Sequence, residues 1–156
     1  MKKIFFLFLL ISSYAWAQMP NIASVWLNNS RAYIGNISND KQELKLKINI
    51  SEQNKKNDQE YYVAGYTLVD KTYNKFEGKI SIEKYKNSKK QGKVFGNYEF
   101  AEENKGKHSG ILRGKFTYIF KWNPSTEKIE SSDIQFTGKW LSYDGSMQFP
   151  TEWKNK

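Results

Sequence analysis

The chain has no cysteine, one histidine, three prolines and only two arginines, Arg31 and Arg113, among its 156 residues. The missing cysteine excludes disulfides, thiolate metal sites and a lipidated N-terminal cysteine, so the fold is held by its core alone. A lone histidine, His108, does not make a zinc site, which takes several Cys or His ligands. It also argues against a nucleophilic triad, which needs a base and an orienting partner. No catalytic residue, metal or cofactor is therefore expected. Arginine scarcity argues against specific nucleic-acid binding, because phosphate and base-edge recognition lean on the planar guanidinium fork. Helical periodicity is nearly absent, and after the first residues no apolar run is long enough to form a membrane helix.

The one apolar run lies at the start. Lys2 and Lys3 precede an unbroken stretch from Ile4 to Ile11, and Ala15-Trp16-Ala17 follows. Positive start, short apolar middle and small-x-small site predict a signal peptide over residues 1–17, with Gln18 as the new N-terminus. The expectation is a single domain over residues 18–156, exported to the periplasm or the medium, soluble and unlipidated. Removing Lys2 and Lys3 takes the formal charge from +9 to +7. A basic surface favours anionic partners, or simply keeps strands soluble and apart.

What the chain has instead is a repeated unit: apolar, any, glycine, any, large apolar. It occurs at Tyr33–Ile37, Val63–Thr67, Phe76–Ile80, Val94–Tyr98, Leu112–Phe116 and Phe136–Trp140. The second copy is imperfect, with Thr67 where a large residue is expected. In an extended chain the first, third and fifth positions share one face. Each glycine then sits between two bulky groups on the buried side, where a bare backbone lets the strand bend or a ring pack close. Repeated strand by strand, this predicts a sheet that curls until it closes.

Period-two alternation sets the strands. Leu44, Leu46, Ile48 and Ile50 face one way and Glu43, Lys45, Lys47 and Asn49 the other. Strands are also expected at Val25–Leu27, Arg31–Ser38, Glu60–Val69, Tyr73–Tyr85, Val94–Phe100, Gly110–Trp122, Ile134–Tyr143 and Ser146–Trp153. Residues 51–59 read as a polar loop, Lys86–Gly92 as a basic loop and Glu102–Gly106 as a turn. Asp144-Gly145 reads as a two-residue hairpin turn, and Pro150 as an edge position or bulge. The expected fold is all-β: a single up-and-down antiparallel β-barrel of eight to nine strands, with a β-sandwich as the alternative. An outer-membrane barrel fits less well, because the face opposite the glycines carries Lys45, Lys47, Lys79, Arg113, Lys115, Lys121 and Lys139.

From Tyr33 to Phe149 this order of glycine-bearing strands resembles small exported bacterial β-barrel proteins of unassigned function. More loosely it resembles the avidin, lipocalin and wider calycin architectures. The resemblance implies a fold and a habit of binding in or around a barrel mouth; it implies no reaction.

Two sets of residues are candidates for binding. Tyr33, Tyr98, Phe116, Tyr118 and Trp140 are expected inside the barrel, where they either fill it or line a cavity for a small apolar ligand. Lys84, Lys86, Lys89, Lys90 and Lys93 form a basic loop that suits an anionic partner or is simply solvated. Glu77, Glu83 and Glu99 are expected outward, paired with lysines, and His108 on a loop. The expected function is a non-enzymatic binding protein for a small apolar ligand or an envelope or protein partner. The alternative is an inhibitor or immunity-type protein that blocks a secreted enzyme through its loops.

Overall fold

A computed structural model describes residues 20–156, so the expected signal peptide over residues 1–17 lies outside the described residues. The strands are β1 (Tyr33–Ile37), β2 (Gln42–Asn54), β3 (Asn57–Val69), β4 (Thr72–Asn87), β5 (Gln91–Glu102), β6 (Gly110–Asn123), β7 (Lys128–Ser142) and β8 (Gln148–Lys154). Each pairs antiparallel with the next, and β8 pairs back onto β1, giving one closed up-and-down barrel of eight strands. This has the coarse architecture of a calycin and excludes the sandwich. Among the described residues no helix is long and apolar enough to cross a membrane.

The glycines explain the closure. Gly35, Gly65, Gly78, Gly96, Gly114 and Gly138 lie between buried residues along their strands. A Cβ on Gly35 would stand 1.8 Å from the Glu152 carbonyl oxygen, across the seam with β8. One on Gly138 would meet the Arg113 carbonyl oxygen at 2.2 Å and the Tyr98 hydroxyl at 2.6 Å. No side chain tolerates such distances, so the strands can approach and bend here only because nothing projects. Gly138 also faces Gly114 across β6–β7.

The middle of the barrel is filled. Phe76 stacks on Phe100 at 4.8 Å and Phe136 on Trp153 at 5.3 Å, with Tyr98 set edge-on to Phe136 and Trp153. Burying rings of this size supplies the apolar area that a disulfide-free domain needs.

Several sequence expectations change. Val25–Leu27, expected as a strand, falls on a short helix, α1 (Ala23–Trp26), and its C-cap. The Asn21 side chain accepts from Ala23 N at 2.9 Å in a turn ahead of the Ile22 N-cap, while Asn28, Asn29 and Ser30 adopt positive φ beyond the helix end. Ile50, expected inward, is 48% exposed. The β2–β3 register slips between Ile48 and Ile50, and such a bulge turns the following side chains over. The expected loop over residues 51–59 is mostly strand, held by Asn54 to Glu60 and Gln53 to the Asp58 carbonyl. The expected Lys86–Gly92 loop narrows to residues 88–90. Asp144-Gly145 belongs to a wider connection over residues 143–147, where Asp144 accepts from Ser142 and Ser146. Pro150 needs no free edge: its carbonyl accepts from Ser38 N just beyond the end of β1, so its missing N–H faces the turn.

Candidate functional site

The two ends of the barrel differ. At the end made by the β2–β3, β4–β5 and β6–β7 turns, α1 folds across the opening. Trp26 is fully buried and edge-on to Tyr61, Phe116 and Tyr118 at 5.9, 5.1 and 6.2 Å. The Tyr33 hydroxyl donates to the Trp26 carbonyl at 2.9 Å, and Ile22 N donates to the Tyr61 hydroxyl at 3.2 Å. This end is plugged.

The opposite end keeps a cavity of about 100 Å³. Its wall is apolar where Ile37, Leu44, Val69, Leu112 and Phe149 meet, and its polar groups are Gln42, Thr67, Thr72, Asn74, Glu102 and the His108 loop. Glu102 is only 6% exposed. It is the last residue of β5 and continues the inward row of Val94, Gly96, Tyr98 and Phe100. Three donors converge on its carboxylate: Thr67 Oγ1 at 2.5 Å to Oε1, Gly110 N at 3.0 Å to Oε2 and Trp140 Nε1 at 2.9 Å to Oε2. They come from β3, β6 and β7, so one side chain ties together three walls of the mouth.

Each donor has a local reason to be there. Thr67 occupies the imperfect fifth position of the second repeat, where a short hydroxyl replaces a bulky group. Gly110 comes so close to β7 that a Cβ would lie 1.9 Å from the Leu141 carbonyl oxygen. Trp140 stacks on Phe149, centroids 5.8 Å apart, which fixes the indole edge toward Glu102.

The β5–β6 connection is tied over this mouth. Asn74 Nδ2 donates to the His108 carbonyl at 2.8 Å, and Tyr143 N to the Ser109 carbonyl at 3.3 Å. The Tyr143 hydroxyl donates to the Glu102 carbonyl. His108 itself is an exposed loop residue at the cavity rim.

The five rings proposed from sequence are all buried, but they separate by position. Tyr33, Phe116 and Tyr118 belong to the plugged end, Tyr98 to the middle layer, and Trp140 alone lines the mouth cavity. Burial holds the phenol of Tyr118 up at about 12 and pushes those of Tyr33 and Tyr98 higher still. These three hydroxyls therefore stay neutral through the physiological range. The five lysines lie on the β4–β5 hairpin at the plugged end, away from the cavity: Lys84, Lys86, Lys89 and Lys90 exposed, Lys93 half-buried. Glu77, Glu83 and Glu99 are exposed on the outer wall, with Glu83 held by Asn97.

The sequence reading assigned Glu102 to a turn and missed it. The signal was the parity of β5: two residues beyond Phe100 the inward face continues, and a carboxylate falls on it. No cluster of His, Cys, Asp or Glu among the described residues could hold a metal ion. The chain matches no protein-family pattern, no curated protein and no solved structure.

Proposed function

We propose that this is a non-enzymatic binding protein, calycin-like in use as in shape. It takes a small, mainly apolar ligand with a hydrogen-bond-donating or cationic head at the open mouth. One observation carries the reading: a buried carboxylate in the wall of a partly apolar cavity. A carboxylate has about four acceptor sites, and the barrel fills three. Among the described residues no ion pair involves Glu102, and a buried carboxylate without one favours a donor, a protonated amine most of all. Trp140 lines the same cavity, and an indole face attracts a cation. About 100 Å³ accommodates a head group of a few heavy atoms, so the remainder of the ligand would lie on the rim formed by Ile37, Val69 and Phe149.

The test is titration with n-butylammonium, n-butanol and butyrate by calorimetry and tryptophan emission. The ammonium is expected to bind best and the carboxylate not at all. Glu102→Gln should erase that order, and Thr72→Trp at the rim should block entry while leaving Glu102 in place. Equal binding of all three probes, or an unchanged order in Glu102→Gln, overturns the reading. Native mass spectrometry of protein taken from its host adds a second arm. A stoichiometric protein in place of a small molecule would favour the inhibitor or immunity alternative.

A further inference from the structure

The plugged end carries a feature that neither the fold nor the mouth site uses. From Lys84 to Tyr98 there is no acidic residue, while Lys84, Lys86, Lys89, Lys90 and Lys93 occupy the hairpin. The ion pairs among the described residues, at Lys45, Lys79 and Lys105, involve none of these five. Lys86 and Lys93 lie directly opposite each other across the β4–β5 pair. Like charges in that relation destabilise a strand pair, so the arrangement costs the isolated fold something.

Large apolar side chains stand out at the same place. Seven are exposed among the described residues, and three of them, Tyr85 at 48%, Trp122 at 38% and Ile129 at 47%, belong to this end. Tyr85 is on the basic hairpin itself. Trp122 and Ile129 face each other across the adjacent β6–β7 hairpin. The two hairpins form one platform, because Trp122 N donates to the Lys90 carbonyl at 3.0 Å. Ser88 N and Oγ both reach the Gln91 carbonyl, at 2.9 and 3.0 Å, and close the lysine-bearing tip.

The β6–β7 hairpin sets Lys121 and Lys128 against Glu127 and Glu130, so the positive excess at this end comes from the β4–β5 lysines. Lysines of that hairpin beside an exposed tryptophan, tyrosine and isoleucine match the chemistry of a lipid–water interface. Anionic headgroups meet the ammonium groups, and the amphipathic rings sit at headgroup depth. We infer that this end docks peripherally on an anionic lipid bilayer, with Lys86, Lys89 and Lys90 on the headgroups and Trp122, Tyr85 and Ile129 dipping into the interface. Charge complementarity selects lipid over an apolar protein groove, and the scatter of single rings among lysines suits a fluid surface better than a shaped one. The opposite end, with Glu102, would then face the aqueous phase. This inference is independent of what the mouth binds.

Cosedimentation of the chain lacking residues 1–17 with vesicles of phosphatidylcholine alone, or with about 30% phosphatidylglycerol, tests it. Binding is expected only to the anionic vesicles and should weaken as salt rises. A lysine near an anionic surface contributes roughly a fivefold gain in partition, so Lys86→Glu, Lys89→Glu and Lys90→Glu together should lose about a hundredfold or more. Trp122→Ser should weaken binding without abolishing the preference for anionic lipid. A control with Lys41→Glu, Lys71→Glu and Lys107→Glu carries the same net charge but alters the mouth end, and should bind almost as the unaltered chain does. Circular dichroism of each variant confirms that the barrel is intact. Equal binding to both vesicle types, no binding to either, or equal losses in the two triple variants would each overturn the assignment. Retention by a soluble acidic protein with none by anionic vesicles would do the same.

Discussion

The two ends of this barrel are closed by opposite means. At one, a fully buried tryptophan from a four-residue helix seals a ring-lined opening. At the other, a carboxylate gathers donors from three strands and keeps about 100 Å³ free. Apolar closure is indifferent to orientation and gives stability in proportion to area. Polar closure demands matched partners, and a group held that way is available to a ligand that can join the network. The plug thus contributes stability through buried area, while the mouth keeps acceptor capacity beside an open space.

The largest effect should come from the plug. Trp26→Ala removes a fully buried indole from three aromatic neighbours and should cost about 3–5 kcal/mol, read as a lowered denaturant midpoint. If α1 then detaches, the opening at that end should admit an apolar dye. If stability barely changes, the two ends are not divided in the way described. At the mouth, Glu102→Ala strands the Thr67 hydroxyl, the Gly110 N–H and the Trp140 N–H, and should cost about 2–4 kcal/mol. The lower part of that range is expected because water can enter the cavity. Glu102→Gln keeps the shape and one acceptor and should lose less, so thermal melts of the two variants sharpen the contrast.

That contrast was only partly legible in the sequence. The barrel was legible because its cause is periodic: glycines at fixed parity between bulky residues report a bend wherever they occur. The plug was not. Val25 to Leu27 has the apolar look of a strand, and only the positive φ of Asn28, Asn29 and Ser30 shows how the chain turns before β1. Ile50 was misplaced because a bulge leaves no mark in an alternating run. The mouth was half visible. Thr67 breaks the repeat by its small size, but nothing in the sequence gives its hydroxyl a partner. Glu102 hid among turn-forming residues, since the acidic and glycine-rich run after Phe100 signals a loop more loudly than parity signals an inward side chain. A site built from strands distant in sequence becomes apparent only once their register is fixed.

A separate effect should be alkaline. Tyr33 and Tyr118 lie at the plugged end and Tyr98 in the middle layer, and burial raises all three phenols above their ordinary value near 10. In the unfolded chain they lose protons near pH 10, while the folded barrel retains them to about 12 for Tyr118. Below pH 10 both states are protonated and stability is undiminished. Above it the unfolded state binds fewer protons, so stability falls as pH rises through 10 toward 12. Melting temperature measured from pH 8 to 12 should decline across that window, and Tyr118→Phe should flatten part of the decline.

The seam between first and last strands has a consequence of its own. It is short, four facing residue pairs from Ile34–Lys154 to Ile37–Thr151, and its partners come from opposite ends of the sequence. Every other strand pair can form while the chain is still a ribbon; this one must wait for the ribbon to come full circle. Until that clasp shuts, β1 and β8 are two sticky margins that could recruit another molecule instead of each other. The hazard of misassembly is thus concentrated in the moments before the ring locks.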